Sequence, residues 1–299
     1  MKILISGSTG FVGTALVPYL EAEGHEVIRL VRRRTAPEGR QVRWNPETGT
    51  IYTDGLAGVD AVVHLAGENI AGGRWTAKRK ARIRDSRVKG TRLLSQTLAR
   101  LDPKPKVLVC PSGAGYYGDR GDEVLREKSG PGSDFLAGIV QDWEAAASPA
   151  AKAGIRVVNL RFGLVLGSGG GALAKMLMPF KLGLGGRLGS GKQYVSWISL
   201  DDALRAYHHA LITEALGGPV NTAAPAPVTN AEFTRTLGRA LKRPTLLPLP
   251  SFALRVLFGE LADTLLFSTR MESPKLQNSG FQFHHPDLKT AFTAVLKKR

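Results

Sequence analysis

A chain of 299 residues, 43% apolar and 22% charged, can bury a large core and has the balance of a soluble globular protein. Its single cysteine, Cys110, excludes a disulfide framework and a thiolate metal cluster, and fits a reducing compartment. The formal charge of +16 admits an anionic ligand, but the basic residues are scattered and carry no aromatic-interleaved nucleic-acid motif.

The first apolar run, KILIS, is too short for a signal sequence, and no run nears the ~20 residues of a membrane span. A cytoplasmic protein without a membrane partner is therefore expected. Ile3, Leu4 and Ile5 read as a strand buried on both faces, followed by GSTGFVG and a helix. In that turn Gly7 permits the tight bend, Gly10 lets backbone approach a pyrophosphate, and Gly13 lets helix and strand pack closely. Ser8 and Thr9 add hydroxyl donors, Phe11 and Val12 complete the turn, and the helix N-terminus offers unpaired N–H groups to an anion.

The second strand, EVIRLV, ends in Arg32, Arg33 and Arg34, where a site selective for NAD would carry a carboxylate. Guanidinium groups grip a 2′-phosphate, so NADP(H) is the expected cofactor, with Arg32 and Arg33 as the first candidates. A third strand, DAVVHL, should bring Leu65, Ala66 and Gly67 against the adenosine half of that cofactor. His64 reads as a core histidine, and Glu68 and Arg74 read from composition as solvated.

Further on, SRVKGTRLL reads as a helix and KVLVCPSGAGYYG as a strand and turn carrying Ser112, Tyr116 and Tyr117. DFLAGIVQDWE is an amphipathic helix, and RVVNLRFGLVLG another buried strand, with Phe162 and Leu164 at its end. The glycine-rich stretch after Gly167 carries Lys175, Lys181, Arg187 and Lys192, which suit an anionic substrate or a solvated face. Gln193 and Trp197 are candidate cleft-liners. Thr229 or Asn230 should cap a helix with Glu232 in its first turn. Leu257, Phe258, Leu261, Leu265, Leu266 and Phe267 form a helical stripe read as core, and His284–His285 lacks a third ligand nearby in the chain.

These motifs resemble the extended, epimerase-like form of the short-chain dehydrogenase/reductase superfamily. GSTGFVG, SRVKGTRLL, RVVNLRFGLVLG and WISLDDALRA match it in order and spacing over nearly the whole chain. LAGENI followed by RW, SGAGYYGDRG, DFLAGIVQDWE, LGSGKQYVSWISLDD and the C-terminal LRVLFGELADTLLF stretch are similar to a narrower "epimerase family protein" group, some members of which are called cell-division-inhibitor homologues. The resemblance implies an α/β, Rossmann-type doubly wound parallel sheet from residues 1–165 and 195–224, with a smaller discontinuous C-terminal α/β lobe from 166–194 and 225–299. It implies NADP(H) binding, and makes Glu68, Arg74, Arg87, Phe162 and Leu164 cofactor-site candidates beside the residues already named.

The superfamily's Tyr and Lys pair is missing. Placing Glu144 on the Glu that closes the superfamily's YxxxKxxxE pattern puts Leu136 at the Tyr and Val140 at the Lys, and residues 129–151 contain neither residue type. Arg87 also stands where relatives keep an Asn. Ser112 remains the candidate to hold a substrate oxygen, and Tyr116 the candidate to move a proton, with Tyr117 as scaffold; Arg87 could activate the phenol, or a carboxylate among Asp119, Asp122, Glu127 and Asp134 could serve as base instead. The expected function is an NADP-dependent oxidoreductase or epimerase acting on a small polar substrate, anionic or neutral. The alternatives are an NADPH-binding sensor or scaffold without catalysis and, less in keeping with the motifs, an RNA-associated protein.

Overall fold

A computed structural model describes residues 1–33 and 40–297. Its central feature is one sheet of eight strands. These are β1 (Lys2–Ser6), β2 (Glu26–Val31), β3 (Gln41–Asn45), β4 (Thr50–Ile51), β5 (Ala61–His64), β6 (Val107–Gly113), β7 (Arg156–Phe162) and β8 (Gly218–Thr222). Their order is β8-β7-β6-β5-β1-β2-β3-β4. All pairings are parallel except that of β4, which turns back along β3. Order reverses between β1 and β5, so ligands of such a sheet are expected beyond the carboxyl ends of those two strands.

Helices cover both faces, and the alternation of side chains decides which strand residues meet which layer. Ile3 and Ile5 join Val63, Val109 and Leu160 against α1 (Gly13–Ala22). Leu4 joins Val62, Leu108 and Cys110 on the other face, against α2 (Ala77–Leu98). The helix α3 (Phe135–Ala145) follows on the α2 side, and α4 (Ser148–Lys152) closes that layer through Ala150. Beyond β7 come α5 (Gly171–Lys181) and α6 (Leu200–Ile212); Ala203 and Tyr207 of α6 complete the first layer.

A second core lies outside the sheet. Leu173, Leu177 and Phe180 of α5 pack with Phe233 and Leu237 of α7 (Asn230–Leu241) and with Phe292 of the last helix. Trp197 is fully buried in this core with its Nε1–H on Ala226 O at 3.1 Å, so it is not the cleft-liner expected from sequence. Thr229 caps α7 by accepting from Glu232 N, as its sequence foreshadows.

Among the described residues four short helices follow: α8 (Ser251–Phe258), α9 (Leu261–Leu266), α10 (Pro274–Asn278) and α11 (Leu288–Lys297). The stripe read as core is corrected here. Gly259, at φ 61°, breaks the helical register between α8 and α9. Leu261 is buried, but Leu257, Phe258 and Leu265 face outward. The chain then returns to the first layer. Arg270–Met271 pairs with Val124–Leu125, and Leu276 and Phe281 sit in the same core as β1 and β7. Among the described residues no helix is long and apolar enough to cross a membrane.

Candidate functional site

The glycine turn is built by backbone packed on backbone. Gly7 follows β1 at φ +69°, and a Cβ there would lie 2.7 Å from Ala66 N and from the Leu65 carbonyl carbon. A Cβ on Gly13 would meet Gly7 O at 2.3 Å. These two glycines are required by the fold itself. Gly10 differs. It is exposed, and its Cβ would meet only Gly7 O, at 3.3 Å. Bare backbone at this point is of most use to something that approaches from outside.

The first helical acceptor, Gly10 O, takes Thr14 N at 2.9 Å, so the N–H groups of Phe11, Val12 and Gly13 belong to the unpaired first turn. Ser8 is buried, Thr9 exposed. The ring of Phe11 lies over a seat of glycines: a Cβ on Gly167 or Gly170 would come within 2.6 Å and 2.5 Å of it. The glycine run before α5 is therefore the surface on which the Phe11 ring rests.

Across the switch point, Ser6 Oγ lies 2.6 Å from His64 Nδ1 and accepts Ala66 N at 3.2 Å, fixing Leu65 and Ala66 behind the turn. His64 is fully buried, and burial lowers its pKa to about 4, so it is the neutral core histidine its sequence position predicted. Arg87 lies across Gly67, 3.5 Å from where a Cβ would stand, and donates to Glu68 O at 2.9 Å. Its guanidinium also sits 5.1 Å from the Trp143 ring. Burial lowers its pKa to about 10, opposed by the charge of Glu68, so it stays cationic at neutral pH.

Glu68 itself faces Arg79 and Arg82 at 3.8 Å and 3.6 Å. Arg74 is drawn away to donate to Val256 O in α8. Phe162 turns into the core against Tyr207, with centroids 5.1 Å apart, and Leu164 N is bound to Ser196 O at 2.7 Å. Arg32 and Arg33 are exposed just past β2, with no carboxylate beside them in the chain; Arg34 lies outside the described residues. An exposed bare turn, unpaired N–H groups and two exposed guanidinium groups together suit a dinucleotide carrying an extra phosphate.

Ser112, at the end of β6, does not stand free. Its hydroxyl donates to Glu144 Oε1 at 2.6 Å, and Arg161 of β7 forks onto the same carboxylate at 2.8 Å and 2.7 Å. Burial works against the charge on Arg161, but its hydrogen bonds and attraction to Glu144, then those to Tyr117, outweigh this and raise its pKa. Tyr116 lies flat on that guanidinium, 3.4 Å from carbon to ring centroid. None of the described residues hydrogen-bonds its hydroxyl. Tyr117 is fully buried, accepting from Arg161 at 3.1 Å and donating to Asn221 at 2.6 Å, the scaffold role expected of it.

Sequence reasoning passed over Arg161, although a signal was there. An arginine inside a strand buried on both faces must have a buried partner, and Glu144 was the acid already placed on that side.

The face of α3 that carries Leu136 is apolar. Asp134 caps α3 through Leu136 N and Ala137 N. Leu136 then presses on Gly115, where a Cβ would come within 2.7 Å of it. Phe135, Leu136 and Ile139 cluster with Trp75 of the loop after β5 and Leu261 of α9. These contacts form an apolar seam joining the nucleotide side to the C-terminal segment.

Comparison with known proteins agrees with this geometry. The model of the NAD dependent epimerase/dehydratase family matches residues 3–222, and a domain of unknown function, DUF1731, matches residues 249–295. Epimerase family protein MT2273 of Mycobacterium tuberculosis is 48% identical over 284 residues, covering 95% of this chain and 93% of that protein. The crystal structure of human epimerase family protein SDR39U1 (isoform 2) with NADPH superposes with a TM-score of 0.93 at 37% identity, covering all of both chains. A nucleoside-diphosphate sugar epimerase from Corynebacterium glutamicum gives 0.82 at 35% identity, over 99% of this chain and 58% of that one.

Proposed function

The chain belongs to the NAD dependent epimerase/dehydratase family, and from that premise we propose that it binds NADP(H) and uses it on a small polar substrate. The observation that carries the reading is Gly10, a glycine the interior hardly needs, exposed at the mouth of the helix α1. In this reading residues Gly7 to Gly13, with Ser8, Thr9, Phe11 and Val12, receive the pyrophosphate. Arg32 and Arg33 receive the 2′-phosphate, and Leu65, Ala66 and Gly67, flanked by Glu68 and Arg87, line the adenosine side. The neighbour crystallised with NADPH supports the same cofactor. Arg74 and Phe162 contribute less, since their side chains are engaged elsewhere.

Bound there, the cofactor supplies or accepts a hydride. Proton transfer is proposed to fall to the Tyr116 hydroxyl, because its ring lies on the Arg161 guanidinium at the mouth of β6 and none of the described residues hydrogen-bonds that hydroxyl. Ser112 then positions Glu144 and Arg161, and can turn toward a substrate oxygen only by releasing Glu144.

One observation favours a second reading. The apolar seam of Phe135, Leu136 and Ile139 offers no proton-moving group on that face of α3, which suits an NADPH-binding sensor without turnover. Exchange of label from deuterated NADPH into a panel of carbonyl compounds and sugar nucleotides separates the two. Catalysis predicts exchange that Tyr116→Phe reduces by about 10²-fold or more with binding intact. Undiminished exchange in that variant removes Tyr116 from the reaction, and tight binding with no exchange by the natural protein leaves the sensor.

A further inference from the structure

The outward-turned part of the helical stripe belongs to a larger exposed apolar strip. Leu246 is 81% exposed, Phe252 70% and Val256 67%, and the last two stand four residues apart on one face of α8. The end of α5 lies alongside, with Leu182 67% and Leu184 58% exposed. Arg243 Nε donates to Lys181 O at 2.8 Å and Leu249 N to Arg187 O at 2.9 Å, which ties the two segments together.

A basic groove runs beside this strip. It is lined by Arg187, Arg235, Arg239, Lys242 and Arg243. Thr234 also lines it, buried, with its Oγ1 lacking any hydrogen-bond partner. Within these segments the one acid is Glu232, in the first turn of α7. The sequence has no Asp or Glu between Glu144 and Asp201, and none between Glu232 and Glu260.

We propose that this face docks on an anionic lipid bilayer. Leu182, Leu246, Phe252 and Val256 enter the acyl boundary while the groove's arginines and lysine meet headgroup phosphates. A second copy would set one strongly basic face against another and be repelled. A nucleic acid would satisfy the charge but leave the aliphatic strip in water. Only a surface that is apolar beneath an anionic layer matches both halves. The association is peripheral, since no described helix can cross the bilayer, and it reverses the expectation that the chain has no membrane partner.

The test is co-sedimentation of the full-length protein with phosphatidylcholine vesicles that either contain about 30% phosphatidylglycerol or lack it. Binding to the anionic vesicles, weakened by salt, is expected. Leu246→Glu with Phe252→Glu, and separately Arg239→Glu with Lys242→Glu, should each reduce it at least about tenfold, with the melting temperature and NADPH affinity unchanged. Absence of binding, equal binding to neutral vesicles, or unaltered binding by both folded variants overturns the proposal. So does self-association abolished by the first variant, or RNA retention abolished by the second, where vesicles are not bound.

Discussion

Arg161 and Glu144 hold two opposite charges where water scarcely reaches, with side chains 3% and 13% exposed. Such a pair adds little against a well-packed apolar substitute, but breaking it strands a buried charge. Arg161→Met should therefore destabilise the fold by about 3 kcal/mol or more in urea unfolding, and adding Glu144→Leu should recover most of that loss. A double variant no more stable than the single one would mean the carboxylate is supported otherwise. His64 gives a pH-dependent term of definite sign. Its folded pKa of about 4 lies below the ordinary value of 6.5, so the unfolded chain takes the proton first. Stability from this group is complete above pH ~6.5 and falls by about 3 kcal/mol as pH drops toward 4. Unfolding measured at pH 7 and pH 4.5 should show that slope, and His64→Gln should flatten it. Cys110 adds nothing near neutrality, since burial and then the charge of Glu144 push its thiol up to about 12.

At the scale of elements, the strand–turn–helix at the N-terminus shows how differently three glycines in one motif are used. Gly7 and Gly13 serve packing, while Gly10 leaves a surface. Gly10→Val should keep the fold within about 1 kcal/mol while lowering NADPH affinity at least tenfold, whereas Gly13→Val should impair folding itself. Thermal unfolding and cofactor titration of the two variants read this directly, and equal loss of both properties in both variants would contradict it. Much of this was legible in the sequence, because glycine spacing and apolar runs report local backbone needs. The Arg161–Glu144–Ser112 network was not, because its members come from a strand, a helix and another strand, and their meeting depends on sheet order. The stripe at 257–267 was misread for a related reason. Periodicity marks a helix face, but Gly259 breaks the period, and what covers each half is decided by distant chain.

In the whole molecule the C-terminal segment is a structural partner of the sheet rather than an appendage. Leu276 and Phe281 complete the core on the α1 and α6 side, Leu261 closes the seam with Trp75 and Ile139, and Arg74 holds α8. Asn221 links the network of Arg161 and Tyr117 to the backbone of Glu272 at 2.8 Å. A chain ending near residue 245 should lose cooperative unfolding and expose its apolar core, seen as dye binding and a broadened melt. Composition could not reveal this dependence, since its residues look like ordinary surface and core amphipathic turns. NADP(H) binding at the nucleotide cradle is tested most directly by calorimetric titration with NADPH and NADH. NADPH should bind at least about tenfold more tightly than NADH, and Arg32→Ala with Arg33→Ala should erase the difference by removing charge-assisted bonds to the 2′-phosphate. Equal affinity for the two cofactors, or no binding of either by the folded protein, would contradict it.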